Sequence, residues 1–179
     1  METVFCFLGM LFSALILAAL IQTYLFQIVR VKGGSMKNTL QSGEIALAVK
    51  WGEYRRGDVV LCHYPRRSQW SATVASFLNV TGKTLFVKRL AALPGDTVEI
   101  AEGCLYVNGE LAPDPPTLGS DPRDYPQRTL GRDEYFVIGD NRASSHDSRA
   151  RNVGPIAASM LQGRVKCVIW PPSDFRMIH

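Results

Sequence analysis

Hydrophobic positions are distributed unevenly along the chain, with one continuous run near its start. Val4–Val29 contains no charged side chain, and Glu2 is the only charge that precedes it. At about 1.5 Å of rise per residue, roughly 26 residues would cross the ~30 Å hydrocarbon layer of a bilayer with some tilt. A cleavable signal peptide has a shorter apolar segment that follows positive charge. The pattern therefore predicts a retained, single-pass transmembrane anchor over residues 1–30.

After this run the pattern changes to short segments rich in β-branched and aromatic residues, which turn residues separate. Such segments are typical of strands in a mainly β domain. Asn108-Gly109 favours a tight hairpin turn, and Leu93–Asp96 predicts another turn. The predicted strands are Glu44–Val49, Asp58–His63, Leu85–Leu90, Thr97–Ile100, Leu105–Val107, Glu134–Gly139 and Gly163–Trp170. We therefore predict a mainly β fold, with the helix followed by a β-rich domain over residues 31–179.

Three further segments complete this organisation. The hairpin and the proline-rich Pro113–Arg132, predicted to be an extended surface loop, would form a small β appendage over residues 98–131. Ile156–Gln162 is predicted to be a short helix, since a proline lies near its start and a glycine follows it. Ser68–Gly82 has no clear pattern, and whether it contacts membrane or a partner stays open.

Charge and composition narrow the possible functions. The net charge of +4 comes from scattered basic residues, without the basic, aromatic-interleaved stripe that binds nucleic acid. We therefore expect no nucleic-acid partner. Neither the four cysteines nor the histidines have metal-ligand spacing, so no metal and no cofactor is expected. The pairing of Cys62, Cys104 and Cys167 stays open, with buried free thiols as the default.

Ser35 and Lys88 are the candidate catalytic residues. Two glycines precede Ser35, so the backbone can turn sharply and expose the hydroxyl, although an ordinary turn would have the same sequence. Strand alternation places Lys88 on one face with the apolar Phe86 and Leu90. A buried ammonium group is costly, so this side chain either extends to the surface or loses its proton and becomes a base.

A polar loop, Gly139–Arg149, follows an apolar strand and supplies many hydrogen-bonding groups. It is either a solvated loop or a connected polar network. Asp147 and Arg149 can pair with each other, and a hydroxyl such as that of Ser145 can hold a neutral lysine amine in one direction. The network interpretation favours a role for this loop in supporting the serine and the lysine.

Together these residues resemble type I signal peptidase, the bacterial leader peptidase family of serine proteases with a serine–lysine dyad. The resemblance covers nearly the whole chain, and its boxes are Gly34-Ser35-Met36 with Thr39-Leu40, Arg56–Val60, Lys88-Arg89 with Leu93–Asp96, and Gly139–Arg149. The last box fixes about seven positions, which makes a chance match very rare. The resemblance implies a membrane-bound endopeptidase that removes signal peptides from exported preproteins and cleaves after small residues of the Ala-x-Ala type.

By motif position the resemblance implies a role for each residue of the site. Ser35 would attack the scissile carbonyl, and Lys88 would be the general base. Ser145 would orient the Lys88 amine. Asp147 and Arg149 would form an ion pair that supports this arrangement.

The resemblance also implies how the substrate is held. The backbone N–H of Ser35 would be one oxyanion donor. Some relatives supply a second donor from a serine hydroxyl two positions before the nucleophile. This chain has Gly33 there, so a second donor could come only from backbone. Shallow pockets for alanine-sized side chains would be lined by Val31, Met36, Leu40 and Val87. The family commonly has proline where this chain has Asn38, and we expect looser local packing there.

Two arguments conflict on the location of the catalytic domain. Arg30, Lys32 and Lys37 follow the anchor and favour a cytoplasmic domain, although this rule weakens before a long domain. The resemblance implies the plasma (inner) membrane with the catalytic domain on the extracytoplasmic side, and we adopt that location. The implied partners are signal-peptide-bearing preproteins, membrane lipid and the protein export machinery.

Two alternatives stay open. One is a signal protease of the mitochondrial inner-membrane type. The other is a membrane-tethered β-domain that binds exported chains without catalysis. The endoplasmic-reticulum and archaeal branch is disfavoured, because it has histidine at the position of Lys88.

Overall fold

The computed structural model describes residues 2–64, 85–113 and 124–178. These ranges contain one α-helix, α1 (Glu2–Tyr24), and twelve strands in two antiparallel sheets. The strands are β1 (Phe26–Arg30), β2 (Ile45–Val49), β3 (Val59–Cys62), β4 (Phe86–Ala92), β5 (Thr97–Ala101), β6 (Cys104–Val107), β7 (Glu110–Leu111), β8 (Tyr125–Thr129), β9 (Glu134–Ile138), β10 (Ile156–Ala157), β11 (Leu161–Trp170) and β12 (Arg176–Met177). Short 3₁₀ turns lie at Arg142–Ser144, Ala158–Met160 and Pro172–Asp174. The mainly β fold predicted from the sequence is confirmed.

The larger sheet has eight strands in the order β1-β2-β11-β3-β4-β9-β10, with β12 paired to β11. The ten-residue β11 is long enough to pair with β2, β3 and β12 along its length. Gly163 lies where β11 crosses from β3 to β2, and a Cβ there would meet the Val49 carbonyl at 2.7 Å. Only glycine allows this close approach of two backbones.

Strand β3 explains why the larger sheet has apolar residues on both faces. All four of its residues are buried. Val59 and Leu61 pack into one apolar cluster, whereas Val60 and Cys62 pack into another. Each fully buried aliphatic side chain of this kind contributes about 1.5–3 kcal/mol, so a continuous apolar run is favoured here over an alternating one.

The smaller sheet has four strands in the order β7-β6-β5-β8. Strands β6 and β7 are joined by Asn108 and Gly109, whose φ angles are 57° and 81°, as the predicted tight turn requires. Its core consists of buried apolar residues from both sheets: Val98, Ile100, Leu105, Val107, Leu130, Phe136 and Ile138. The division of the chain into domains nevertheless stays a prediction.

The prediction of one continuous anchor over residues 1–30 is wrong at its C-terminal end. Helix α1 ends at Tyr24, and Phe26–Arg30 pairs as β1 with Ile45–Val49. Both structures satisfy the backbone polar groups, so an apolar run alone does not distinguish them. In the described ranges, none of the helical segments is both long and apolar enough to cross a membrane.

Two other segments differ from their predictions. Ile156–Gln162 is helical only at the 3₁₀ turn Ala158–Met160, because Ile156 and Ala157 pair with β9 and Leu161 already pairs with β3. The loop predicted for Pro113–Arg132 contains strand β8 (Tyr125–Thr129), which pairs with β5. The Ser68–Gly82 segment lies outside the described residues, as do residues 114–123.

Candidate active site

Ser35 lies in the turn between β1 and β2, half-buried at the edge of the larger sheet. Gly33 enters this turn with a φ of 84°, a conformation that side chains with a Cβ rarely adopt. Asn38 leaves it with a φ of 95°. Proline, whose φ is fixed near −65°, could not take this path, so the chain's departure from the usual family residue fits the observed backbone.

Lys88 is the partner of Ser35. It lies on β4, is only 2% exposed, and its Nζ is 2.6 Å from Ser35 Oγ. Burial lowers the pKa of the Lys88 amine, because the charged form loses its hydration. The amine can therefore lose its proton far more easily than a surface lysine, and the neutral amine can accept a proton from the hydroxyl.

Asp147 and Arg149 form a buried ion pair. Arg149 Nε donates to Asp147 Oδ1 and Arg149 Nη2 to Oδ2, each at 2.8 Å, and Asp147 Oδ2 accepts from the Gly139 N–H at 2.9 Å. Burial acts to raise the pKa of Asp147, but the hydrogen bonds and charge of Arg149 outweigh it and lower that pKa. The pair therefore stays ionised and fixes the loop that follows β9.

Ser145 lies above Gly139, next to the Ser35 carbonyl. A Cβ on Gly139 would collide with the Ser145 hydroxyl and with the Ser35 carbonyl oxygen, so this position requires glycine. Ser145 is 5% exposed, and within residues 2–64, 85–113 and 124–178 its hydroxyl makes no hydrogen bond of full geometry, although it lies close enough to Asp147 to help lower the pKa of that carboxyl. The structure has no hydrogen bond between Ser145 and Lys88, whose Nζ contacts Ser35 Oγ instead.

Asn141 holds the turn of Ser35 in place, a role that sequence reasoning missed. Its backbone N–H donates to the Ser35 carbonyl at 3.0 Å, and its side-chain amide donates to the Gly34 carbonyl at 2.9 Å. The neighbouring Asp140 accepts from the Thr39 hydroxyl. The loop after β9 therefore contacts the turn that contains Ser35, residues 33–39, both before and after Ser35.

Arg89 is a second residue that sequence reasoning missed. It follows Lys88 on β4 and donates from Nε and Nη2 to the carboxylate of Asp140 at 2.8 and 2.9 Å. The side chains of this pair are 8% and 1% exposed. The adjacent basic residues of the Lys88-Arg89 box were the available signal, but sequence spacing did not show that Asp140 is the partner.

The residues predicted to line substrate pockets belong to or pack against one apolar cluster next to Ser35 in the chain, which we call the apolar floor. Val31, Met36 and Leu40 are 3%, 2% and 0% exposed and pack in one core cluster. Val87 is half-buried and packs against this cluster. The backbone of Gly33 is exposed, and a Cβ there would meet open space.

The chain is similar to known proteins along most of its length. The family model described as signal peptidase, peptidase S26, matches residues 4–170. Signal peptidase I T of Bacillus subtilis (strain 168) is 34% identical over 177 residues, covering 91% of this chain and 83% of its own. Signal peptidase I of Bacillus amyloliquefaciens is 34% identical over 178 residues, with the same two coverages. A crystal structure of a signal peptidase I from Enterococcus faecalis V583 matches with a TM-score of 0.46 and 24% identity, over 63% of this chain and 97% of that one.

Proposed function

Because the chain belongs to the signal peptidase family, peptidase S26, and is a signal peptidase I, a serine endopeptidase, we propose that Ser35 and Lys88 are its nucleophile and general base. Its substrates are preproteins that carry an N-terminal signal peptide. The observation that carries the proposal is the 2.6 Å contact between the Ser35 hydroxyl and a lysine amine that is only 2% exposed.

The bond-making and proton-transfer steps involve these two side chains, the backbone and water. Ser35 Oγ attacks the scissile carbonyl carbon while the neutral Lys88 amine takes the hydroxyl proton. The resulting ammonium gives this proton to the nitrogen of the leaving peptide as the C–N bond breaks. Lys88 then removes a proton from water, whose oxygen attacks the acyl-serine ester, and the ammonium returns this proton to Ser35 Oγ as the ester C–O bond breaks, which restores the hydroxyl and the neutral amine.

The oxyanion of each tetrahedral intermediate lies near the entrance of the nucleophile turn. The backbone N–H of Ser35 donates to it, and the exposed backbone at Gly33 is available to provide a second donor. The positive φ of Gly33, 84°, favours this turn without a side chain in the way of the substrate.

The loop after β9 holds the Lys88 amine within hydrogen-bond distance of the Ser35 hydroxyl. The Ser145 hydroxyl rotates to hold the Lys88 amine once substrate is bound, and the Asp147–Arg149 pair fixes the backbone around Ser145. Support for this assignment comes from the buried position of Ser145 and its unused hydrogen-bonding capacity.

Specificity for small side chains follows from the apolar floor. Val31, Met36 and Leu40 are close-packed beneath Ser35, so little depth remains for a substrate side chain. Val87 forms the partly exposed wall. An alanine fits such shallow pockets, whereas a larger side chain would require the core to move, and cleavage after an Ala-x-Ala pattern results.

The enzyme works at the plasma (inner) membrane, with its catalytic domain on the extracytoplasmic side and the export machinery delivering the substrate. The support is that α1 exposes large apolar side chains, of which Phe5 and Phe12 are 72% and 66% exposed. Lipid would cover this surface at little cost. Protease treatment of intact cells and of inside-out vesicles tests this location, since only the former should expose the domain.

The catalytic assignment is tested with two substitutions and two matched controls. Ser35→Ala and Lys88→Ala should each reduce the cleavage of a preprotein in detergent by at least about 10³-fold while the fold is retained. Ser42→Ala and Lys37→Ala change exposed residues of the same segment and should retain near-normal turnover. Near-normal turnover by either catalytic variant would contradict the mechanism and favour a β-domain that only binds exported chains.

A further inference from the structure

A side chain near the end of the described chain, Arg176, forms hydrogen bonds to the turn that contains Ser35 (the nucleophile turn, residues 33–39). These bonds are separate from those made by the loop after β9 (the catalytic loop, residues 139–149). Arg176 lies on β12, which pairs with the central strand β11. Its Nη1 donates to Glu44 Oε1 at 2.8 Å, and its Nη2 donates to Glu44 Oε2 at 2.9 Å. Such two-pronged pairing fixes direction as well as distance.

Arg176 also contacts the turn directly. Its Nη2 donates to the Thr39 carbonyl at 2.7 Å. Glu44, which is 3% exposed, uses its Oε2 to accept from the Gln41 N–H at 2.8 Å. One guanidinium group therefore holds the backbone at Thr39 directly and at Gln41 through Glu44.

Thr39 connects the hydrogen bonds of Arg176 to those of the catalytic loop. Its carbonyl accepts from Arg176, while its hydroxyl donates to Asp140, which is itself paired with Arg89. The backbone around Ser35 is thus held between Arg176 on one side and Asp140 with Asn141 on the other. Between these two sides Ser35 is half-exposed, whereas Met36 and Leu40, which follow it in the turn, are buried in an apolar cluster.

We propose that Arg176 is a positioning residue for the nucleophile, which rests on the proposed role of Ser35. A proton transfer between Ser35 and Lys88 requires their atoms to stay within hydrogen-bond reach, and a displacement of about 1 Å can cost about 10²-fold in rate. Arg176 prevents that displacement, because Thr39 and Glu44 cannot shift without breaking three short hydrogen bonds. Arg176 acts through its hydrogen bonds to Glu44 and Thr39, so the proposal assigns its effect to the chemical step and not to binding.

The test compares Arg176→Ala with Arg128→Ala. Both remove an arginine from a salt bridge that is partly exposed, since the side chains of Arg176 and Arg128 are 36% and 45% exposed. At temperatures where circular dichroism shows a fully folded protein, Arg176→Ala should lower kcat by about 10–100-fold and change KM by no more than about twofold. Arg128→Ala should change neither constant.

Chemical rescue separates positioning from a loss of stability. Guanidinium at about 50 mM, far below the molar concentrations that unfold proteins, should occupy the space left in Arg176→Ala and restore kcat at least about fivefold. The same concentration of sodium chloride should not. Arg176→Lys, which keeps the charge but cannot reach Glu44 and Thr39 together, should lie between the wild type and Arg176→Ala.

A normal kcat in folded Arg176→Ala would overturn the proposal, and so would the absence of guanidinium rescue. If that variant does not fold, because Glu44 remains as a buried unpaired charge, the double variant Glu44→Gln with Arg176→Gln replaces it. It carries no buried charge, and the proposal predicts the same loss of kcat; normal activity would overturn it. If instead Ser35→Ala remains active, the proposed nucleophile is wrong and the failure lies there.

Discussion

The two sheets of this protein differ in where they place their charges. The larger sheet and its loops bury charged side chains: Lys88, Arg89, Asp140, Asp147 and Arg149 are between 1% and 8% exposed. The smaller sheet buries almost only apolar side chains, such as those of Val98 and Ile100. The charged residues on its strands are half-buried or exposed, as Arg128 is with a side chain that is 45% exposed, and Asp96, in the turn before β5, is the one buried charge beside it in the described ranges.

This difference supports the location of the proposed active site on the larger sheet. Each buried charge loses hydration energy, and apolar residues would give a core of similar size at lower cost. A concentration of buried charges in one region of the protein is therefore typical of a functional site. A cleft of about 420 Å³ lies between the sheets, lined by Arg89 and Arg142 on one side and by Leu105 and Leu111 on the other. Ser35 and Lys88 are not among its lining residues, which agrees with a supporting role for the smaller sheet.

The largest expected effect on stability comes from breaking the buried pair of the larger sheet. Asp147→Ala should lower the free energy of unfolding by about 3–5 kcal/mol, since it leaves the Arg149 guanidinium, whose side chain is 2% exposed, without its carboxylate. Urea denaturation at neutral pH measures this loss. Glu134→Ala, which removes the partner of the exposed Arg128, should cost no more than about 1 kcal/mol.

The pH dependence of stability provides a check on the same pair. Because the pKa of Asp147 is lowered in the folded state, its contribution is present above the unfolded value of about 3.9 and is lost as pH falls through the folded value. The difference between the wild type and Asp147→Ala should therefore shrink in acid. Equal losses for Asp147→Ala and Glu134→Ala would remove the distinction between buried and exposed pairs.

A cavity in the smaller sheet should affect stability without affecting catalysis. Ile100 is 2% exposed in the apolar cluster that joins the two sheets. Ile100→Ala should lower the free energy of unfolding by about 2–5 kcal/mol, through lost burial and the cavity that remains. The folded variant should keep a kcat within about twofold of the wild type, measured well below its unfolding temperature. A large fall in kcat would mean that the smaller sheet takes part in positioning the site.

Most strands could be predicted because their signals are local. Val59–Cys62 and Glu134–Ile138 are β-branched or aromatic runs beside turn residues, and no distant contact is needed to identify them. Phe26–Arg30 could not be separated from the apolar run before it, since its strand identity depends on pairing with Ile45–Val49. The same holds for Arg176–Met177, whose partners lie on β11.

The candidate site divides along similar lines. Ser35 and Lys88 were identified from glycines and from a lysine in an apolar strand, and the structure brings them together at 2.6 Å. The contacts of Asp140 with Arg89 and of Asn141 with the Ser35 turn were not identified, because spacing along the chain does not specify distance in space. Family motifs supply residue roles, but hydrogen-bond partners come only from the fold.

The lowered pKa of Lys88 predicts how activity depends on pH. Burial favours the neutral amine, and only this form accepts the Ser35 proton, so kcat should rise about tenfold or more between about pH 6 and about pH 9. The rates should be compared only over the pH range in which circular dichroism shows a folded protein, so that unfolding does not contribute to the change in kcat. Ile100→Ala should show the same profile, since its change lies in the smaller sheet. A rate independent of pH over this range would contradict Lys88 as the base.

The smallest expected effect on kcat and stability comes from removal of the Tyr64 hydroxyl, which lies beside the loop after β9. Tyr64 donates to the His146 carbonyl at 2.6 Å, and its ring stacks on Phe86 with centroids 4.1 Å apart. Burial raises the pKa of Tyr64, so the hydroxyl remains a donor at all working pH values. Tyr64→Phe keeps the ring stack but removes the hydrogen bond to His146, which lies between Ser145 and Asp147 in the chain. This variant should lower kcat a few-fold and the free energy of unfolding by about 1 kcal/mol.

Tyr125→Phe is the control. It changes a ring of the smaller sheet, which packs on Phe136, and should leave kcat unchanged. If both variants lowered kcat equally, the sheets would not differ in their link to the site.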